Sequence, residues 1–83
     1  MLGGRRTGVR IAAITPGAKG TVAKITQAIA SAGGDIVGLG FSEALDQNEY
    51  QWETTIKIQD VPKDKLVEVI KPFVIKIIDV RET

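Results

Sequence analysis

The sequence contains neither cysteine nor histidine. Without cysteine the chain can form no disulfide framework and no thiolate metal site. Without histidine it lacks both the commonest general base and the commonest metal ligand. No apolar run approaches the roughly 20 residues that a membrane-spanning helix needs, and residues 1–8 lack the apolar core of a signal peptide. These absences favour a cytoplasmic module that is not an enzyme, uses no cofactor and has no membrane partner.

The chain also has little excess charge of either sign, with 11 Lys and Arg residues against 10 Asp and Glu residues and a net charge of +1. A nucleic-acid-binding domain normally shows a clear basic excess, so we expect no nucleic-acid partner. The 83 residues correspond to one small domain. A domain of this size buries only about 60% of the surface of its unfolded chain, so association with another chain would add burial.

The first half of the chain shows a leader, a strand pattern and a helix pattern. Paired glycines and arginines without periodicity predict a flexible leader or linker at residues 1–7, which leaves residues 8–83 as the folded domain. β-branched and small apolar residues predict a first strand over 9–15. Apolar residues at helical spacing predict a helix over 21–32, capped by Thr21 with Gly20 as a rival, and ended by Gly33-Gly34.

A hairpin follows the first helix. A strand begins at Asp35, and the glycines at 38 and 40 leave one of its faces nearly bare. Residues 45–49 predict a polar turn. Strict alternation over 50–58 predicts the partner strand. We expect one face of that strand to pack under the helices as core: Tyr50, Trp52, Thr54, Ile56 and Ile58.

A second helix and a last strand complete the pattern. Asp60 is expected to cap a helix that starts around Pro62 and ends at Pro72, and an apolar run over 74–80 predicts a strand. The order strand, helix, strand, strand, helix, strand is the split βαβ unit repeated. We therefore predict an α+β fold of the ferredoxin-like type, a βαββαβ sandwich with a four-stranded antiparallel sheet and both helices on one face.

The loop over residues 16–20 could carry binding chemistry. The N–H groups at a helix N-terminus, with Lys19 beside them, could cradle an anion, although the loop is not a Walker motif. The alternative is a strand-to-helix turn that needs glycine. Ser31 and Ser42 have no histidine partner that would make either of them a nucleophile.

The hairpin offers two further candidates, each with a simpler structural interpretation. Tyr50 and Trp52 could stack on RNA bases, but they share a face with apolar residues and fit the core better. Four carboxylates could offer oxygen ligands to Ca²⁺ or Mg²⁺, but they show no metal-binding spacing and fit a solvated hairpin tip: Glu43, Asp46, Glu49 and Glu53.

Two segments carry a family resemblance: they read GTVAKI at residues 20–25 and AIASAGGDIV at residues 28–37. Together they resemble the opening of an ACT domain, whose pattern is an acidic or amide residue, Pro-Gly, an apolar helix, an Ala-Gly-Asn-Ile turn and a strand. The resemblance covers residues 9–81. The glycine-rich second strand and the closing IIDVR at 77–81 are similar to the C-terminal ACT domains of CBS–ACT proteins of the acetoin-utilisation type.

The resemblance implies a regulatory domain. ACT domains pair through sheet edges or helical faces and bind amino acids or other small metabolites at the interface. The resemblance therefore implies a homodimer, a small-molecule effector such as an amino acid, and a preceding domain such as a CBS pair attached through residues 1–7. It places the ligand between the first strand-to-helix loop of one subunit and the start of the second strand of its partner: Gly17, Ala18, Lys19 and Gly20, with Asp35, Ile36, Val37 and Gly38.

The chain departs from the family pattern within that implied site. Gly17 stands where Asp or Asn is usual, Lys19 stands where Pro is usual, and Asp35 stands where Asn is frequent. Lys19 and the backbone N–H groups could contact a carboxylate or phosphate, and Asp35 could contact an amine or simply serve the turn. The bare second strand is an edge strand in this fold and invites pairing with another strand. A constitutive dimerisation module without a ligand is the rival interpretation.

Overall fold

The computed structural model describes residues 8–46 and 49–82, so the predicted leader at 1–7 lies outside the described residues. Its elements are β1 (Gly8–Pro16), α1 (Thr21–Ser31), β2 (Asp35–Asp46), β3 (Glu49–Gln59), α2 (Lys63–Ile70), a 3₁₀ turn (Lys71–Phe73) and β4 (Lys76–Glu82). The strands form one antiparallel sheet in the order β2-β3-β1-β4. This arrangement confirms the predicted ferredoxin-like α+β fold.

The two faces of the sheet have different chemistry because successive side chains of a strand point to opposite sides. On β1, Ile11 and Ala13 face the helices, whereas Arg10, Ala12 and Ile14 lie on the face without helices, which we call the open face. Both helices pack on the same side, so the predicted placement of the helices is confirmed. The core between them and the sheet is aliphatic: Val9, Ile11, Ala13, Ile25, Ile29, Ile56, Ile58, Val61, Leu66 and Ile70.

Glycine residues define both ends of α1. The N-cap is Gly20, with φ 85°, so of the two predicted candidates Gly20 is confirmed and Thr21 is wrong, and no side chain caps the helix. The Thr21 hydroxyl instead donates to the Ala18 carbonyl at 3.0 Å. At the other end Gly33, with φ 92°, ends the helix as predicted. The N–H of Gly34 donates to the Ile29 carbonyl at 2.9 Å, which completes a Schellman motif.

The approach to α2 also differs from the prediction. Pro62 is extended, with ψ 154°, and is itself the N-cap, without a side-chain cap hydrogen bond. Asp60 has φ 77°, so it forms a left-handed turn between β3 and α2 rather than the cap of the helix. α2 ends at Ile70, two residues before the predicted end at Pro72. The chain continues as the 3₁₀ turn, which accommodates proline near its start.

Register explains two differences at strand ends. Asp46 pairs with Glu49, so β2 and β3 continue into the predicted turn at 45–49 and leave only residues 47–48, which lie outside the described residues, between them. β4 begins two residues later than predicted, because Ile75 first donates its N–H to the Ile14 carbonyl at 2.8 Å and the ladder with β1 starts at Lys76. Neither end is marked by a change in hydrophobicity along the sequence.

β2 contains a β-bulge between Ile36 and Gly38. Ile36 pairs with Ile58 on the helix-side face, and Gly38 pairs with Lys57 on the open face, so Val37 is the extra residue. Beyond the bulge, Leu39 and Phe41 lie on the helix side. No helix among the described residues is long and apolar enough to cross a membrane.

Candidate functional site

The loop between β1 and α1 is held against β3. Gly17 donates its N–H to the Tyr50 carbonyl at 2.9 Å. A Cβ at residue 17 would overlap the Tyr50 ring and lie 2.8 Å from the Tyr50 carbonyl oxygen, so this close approach requires glycine. Lys19 is exposed at the tip of the loop. The loop therefore offers a lysine and backbone N–H groups, and residue 17 has no room for the Asp or Asn side chain that the resemblance implies.

The second part of the predicted site lies at the opposite end of the sheet. Asp35 pairs with Gln59, which also pairs with Gly8 at the start of β1, whereas Pro16 pairs with Gln51. Eight residues of strand separate these two rows, a distance of about 26 Å at 3.3 Å per residue. One chain therefore does not bring residues 17–20 and 35–38 together.

An apolar groove of about 260 Å³ lies beside the loop, lined by Val22, Phe41 and Trp52. Leu39 and Phe41 are 42% and 50% exposed although they lie on the helix-side face. Their partners on β3, Ile56 and Thr54, are only 3% and 2% exposed, so the helices cover these rows at β3. The exposure of Leu39 and Phe41 therefore follows from the position of β2 at the edge of the sheet.

The aromatic residues of β3 lie near the loop rather than in the centre of the core. Tyr50 and Trp52 make an edge-to-face contact with ring centroids 5.3 Å apart. Thr54, Ile56 and Ile58 are buried as predicted, but Tyr50 is 56% exposed, so its expected place in the core is wrong. Residue 50 lies one residue beyond the last pair of the β1–β3 ladder, Pro16 with Gln51, so no residue of β1 lies beside Tyr50. Both rings lie on the helix side, so neither Tyr50 nor Trp52 offers a stacking surface on the open face.

The carboxylates of the hairpin do not form a metal site among the described residues. Glu43 pairs with Trp52 and so lies on the helix-side face, whereas Glu53 pairs with Ser42 on the open face. Within residues 8–46 and 49–82 no group of three or more acidic residues is placed to hold a metal ion. Glu43 and Glu53 therefore lie on opposite faces of the hairpin.

Sequence reasoning did not find the groove at Val22, Phe41 and Trp52 or the Tyr50 ring over Gly17. The sequence predicts Trp52 as a core residue, whereas Trp52 and Val22 are both half-exposed in the structure. The only sequence signal for the contact between Tyr50 and Gly17 is the long alternation of β3, which places Tyr50 near the end of β1 once the register is known.

Comparison with known proteins gives the fold. No protein-family model matches the sequence, and no curated protein matches it. Among solved structures, the regulatory subunit of aspartate kinase from Thermus thermophilus superposes with a TM-score of 0.60 at 18% identity over 92% of this chain. A formyltetrahydrofolate deformylase from Pseudomonas syringae gives 0.58 at 25% identity over 96%. The ACT domain of GTP pyrophosphokinase from Chlorobium tepidum gives 0.51 at 18% identity over 94%.

The three structures differ in how much of them the chain represents. It covers 50% of the aspartate kinase subunit and 28% of the deformylase, but 96% of the GTP pyrophosphokinase ACT domain. The match to an isolated domain along nearly its whole length agrees with the strand order and helix placement described above. This chain therefore has the fold of an ACT domain.

Proposed function

We propose that this chain is an ACT-type regulatory domain that binds a small molecule, an amino acid or related metabolite, between two copies of itself. The observation that carries the proposal is the outer edge of β2, which pairs with no second strand among the described residues and where Leu39 and Phe41 are exposed next to the groove. An unpaired strand edge presents N–H and C=O groups that a second strand can pair with. One of the similar structures is the regulatory subunit of an aspartate kinase and another is an ACT domain, which supports the same function.

Pairing of two β2 strands would also assemble the ligand site. If two copies pair antiparallel about a two-fold axis at Gly40, residue 35 of one copy lies opposite residue 45 of the other. Residue 45 pairs with Tyr50 on β3, and the Tyr50 carbonyl accepts the hydrogen bond from the N–H of Gly17. The dimer would thus bring Asp35 of the partner subunit to the end of the sheet where Lys19 and the groove lie. This explains why one chain alone keeps the two halves of the site about 26 Å apart.

The proposed ligand chemistry follows from the residues at that end. Lys19 and the N–H groups at the start of α1 would bind a carboxylate, because a helix N-terminus favours negative charge and no side chain caps this one. Asp35 of the partner subunit would bind an amine. The groove lined by Val22, Phe41 and Trp52 would hold an apolar side chain. Binding across the interface would favour one dimer arrangement and so bias an attached domain.

The finer assignments belong to the same proposal. The glycine-rich β2 and the closing residues 77–81 suggest a C-terminal ACT domain of the CBS–ACT type, attached through residues 1–7 to a preceding domain. The domain would act in the cytoplasm and would regulate rather than catalyse. The rival function is a constitutive dimer without ligand. The Tyr50 ring against Gly17 favours that rival, because it removes one polar side chain from the implied site.

The test of the dimer uses light scattering after gel filtration over a range of protein concentrations. We expect a dimer for the wild type and a monomer for Phe41→Lys. Ile78→Lys is the matched control, because Ile78 is 48% exposed on β4, at the other edge of the sheet. A wild-type monomer at every concentration would contradict the proposal, and so would a dimer that Ile78→Lys disrupts and Phe41→Lys does not.

The test of the ligand uses a thermal-shift screen with amino acids and related metabolites. A ligand at 100 times its Kd stabilises the folded state by about 2.7 kcal/mol, which a small domain shows clearly. Lys19→Ala and Asp35→Ala should reduce the shift, whereas Lys24→Ala, which removes an exposed charge further along α1, should not. A stable dimer without any shift across the panel would favour the constitutive module, and shifts unchanged in both site variants would refute the site.

A further inference from the structure

Three cations form one row across the open face of the sheet. Lys57 lies directly opposite Arg10, and Arg10 lies directly opposite Arg81. Residues opposite each other on neighbouring strands have Cβ atoms about 5 Å apart, so the row is roughly 10 Å long. Like charges in such positions destabilise a sheet. The row therefore places positive charge where the fold alone gains nothing from it.

Among the residues that the structure describes, Arg81 is the only member of the row that has a counter-ion. Nε of Arg81 lies 2.7 Å from Oδ2 of Asp79, on the same strand. Neither Arg10 nor Lys57 forms an ion pair within residues 8–46 and 49–82. Arg10 is half-buried on β1, between β3 and β4, so water screens its charge less than it screens a fully exposed charge. Arg10 and Lys57 thus carry two neighbouring positive charges that no described residue compensates with an ion pair.

A groove of about 470 Å³ lies against these two cations at the β2 edge. Small-molecule sites commonly have volumes of about 300–1,000 Å³. Glycine opens the groove: a Cβ at residue 40 would meet no atom within 4 Å, and a Cβ at residue 38 would touch the aliphatic stem of Lys57 at 3.3 Å. Its lining residues come from β1, β2 and β3: Arg10, Val37, Gly38, Leu39, Gly40, Thr55 and Lys57.

We propose that this groove binds the phosphate group of a small phosphorylated metabolite. The guanidinium of Arg10 can donate two parallel hydrogen bonds to phosphate oxygens, and the ammonium of Lys57 supplies a compact charge. The Thr55 hydroxyl, one row along, can donate a further hydrogen bond. A bound dianion would also offset the repulsion between Lys57 and Arg10, so binding and folding stability are coupled through the same two residues.

This site is separate from the proposed effector site. The groove lies on the open face, whereas Val22, Phe41 and Trp52 lie on the helix side of the sheet. Small residues alone would not indicate a ligand here. The proposal rests on a combination: two cations in register that form no ion pair with a described residue, a hydroxyl beside them and a groove of metabolite size over them.

The experiment titrates the full 83-residue chain with inorganic phosphate and with pyrophosphate at constant ionic strength, followed by amide chemical shifts and by the melting temperature. We expect shifts at Gly38, Gly40 and Thr55 and a rise in melting temperature. Lys57→Gln should raise the Kd about ten-fold, the loss of one charge-assisted hydrogen bond, and Arg10→Gln, which loses two, should raise it by more than ten-fold. Lys24→Gln, which removes the same charge from α1, should leave the Kd unchanged.

A second readout separates a built site from general attraction between a cation and an anion. In the absence of phosphate and at low salt, Lys57→Gln should melt at a higher temperature than the wild type, because it removes a like-charge pair. A lower melting temperature would overturn the proposal. Absence of binding, an equal weakening in Lys24→Gln, or shifts confined to residues 17–22 would overturn it as well, whereas the dimer is tested separately by light scattering.

Discussion

The buried pair of threonine hydroxyls at the end of β1 allows the most quantitative prediction. Thr15 and Thr54 are only 1% and 2% exposed, and their hydroxyl oxygens lie 3.0 Å apart on the helix-side face. The Thr15 hydroxyl is also 3.5 Å from the Trp52 carbonyl oxygen, a long contact. No buried side-chain polar atom of the described residues lacks a partner. The pair fixes the strand end that leads into the loop at 17–20.

Replacing one threonine by valine keeps the shape and removes one hydroxyl. Thr15→Val leaves the Thr54 hydroxyl buried without its partner, which costs about 1–3 kcal/mol. Thr54→Val should cost less, roughly 1 kcal/mol, because the Thr15 hydroxyl keeps the Trp52 carbonyl as an acceptor. The double variant leaves no orphaned hydroxyl and buries two extra methyl groups, so its stability should be within about 1 kcal/mol of the wild type.

The assay is urea unfolding followed by the fluorescence of Trp52, the only tryptophan of the chain. The four proteins should unfold with equal m-values, so that differences in midpoint report stability alone. The double-mutant cycle should give a coupling free energy of about 1–3 kcal/mol. If the two single effects simply add, within about 0.5 kcal/mol, the hydroxyls do not depend on each other and the reasoning is refuted.

Four further predictions follow from packing and backbone geometry, each measured by the same unfolding assay. Ile29→Ala should cost about 2–5 kcal/mol because it leaves a cavity in the core; a cost below this range would mean that the site collapses. Gly33→Ala should lower the free energy of unfolding by about 1 kcal/mol, because the φ of 92° at this position is left-handed. Gly40→Ala, where a Cβ meets no atom, should leave the free energy of unfolding unchanged or raise it by about 0.4–1 kcal/mol. Equal effects of the two substitutions would contradict this difference. Gly17→Ala should destabilise by about 1–3 kcal/mol through the overlap with β3, and an unchanged stability would show that the loop can move away. Asp79→Asn should change stability by less than about 1 kcal/mol because the ion pair is largely exposed; a larger loss would show a role beyond that pair.

The layers of the fold could be predicted because they depend on local periodicity. The alternation of β3 places Thr54, Ile56 and Ile58 on one face whatever the tertiary structure is. A glycine pair after a helical pattern likewise predicts a left-handed C-terminus, and Gly33 adopts it. Both features are specified within a few residues of chain, so the sequence alone was sufficient.

The remaining features depend on contacts between distant residues. The ring over Gly17 belongs to Tyr50, 33 residues away, and the two meet only through the register of β1 with β3. The cation row requires the registers of three strands at once. The choice of Thr21 and Asp60 as helix caps was wrong for another reason. Both are good capping residues, but Gly20 and Pro62 occupy the N-cap positions.

The bulge at Val37 determines which surface each half of β2 contributes to. A strand has a side-chain period of two, so the loss of one residue moves every following side chain to the other face. Without the extra residue, the apolar side chains of Leu39 and Phe41 would extend over the cations, and the glycines would lie under the helices. A one-residue deletion here would therefore exchange the positions of the exposed apolar side chains of β2 and of the glycines that open the proposed phosphate groove. A length change of one residue in β2 is thus a route by which related chains could acquire different ligands while keeping the same fold.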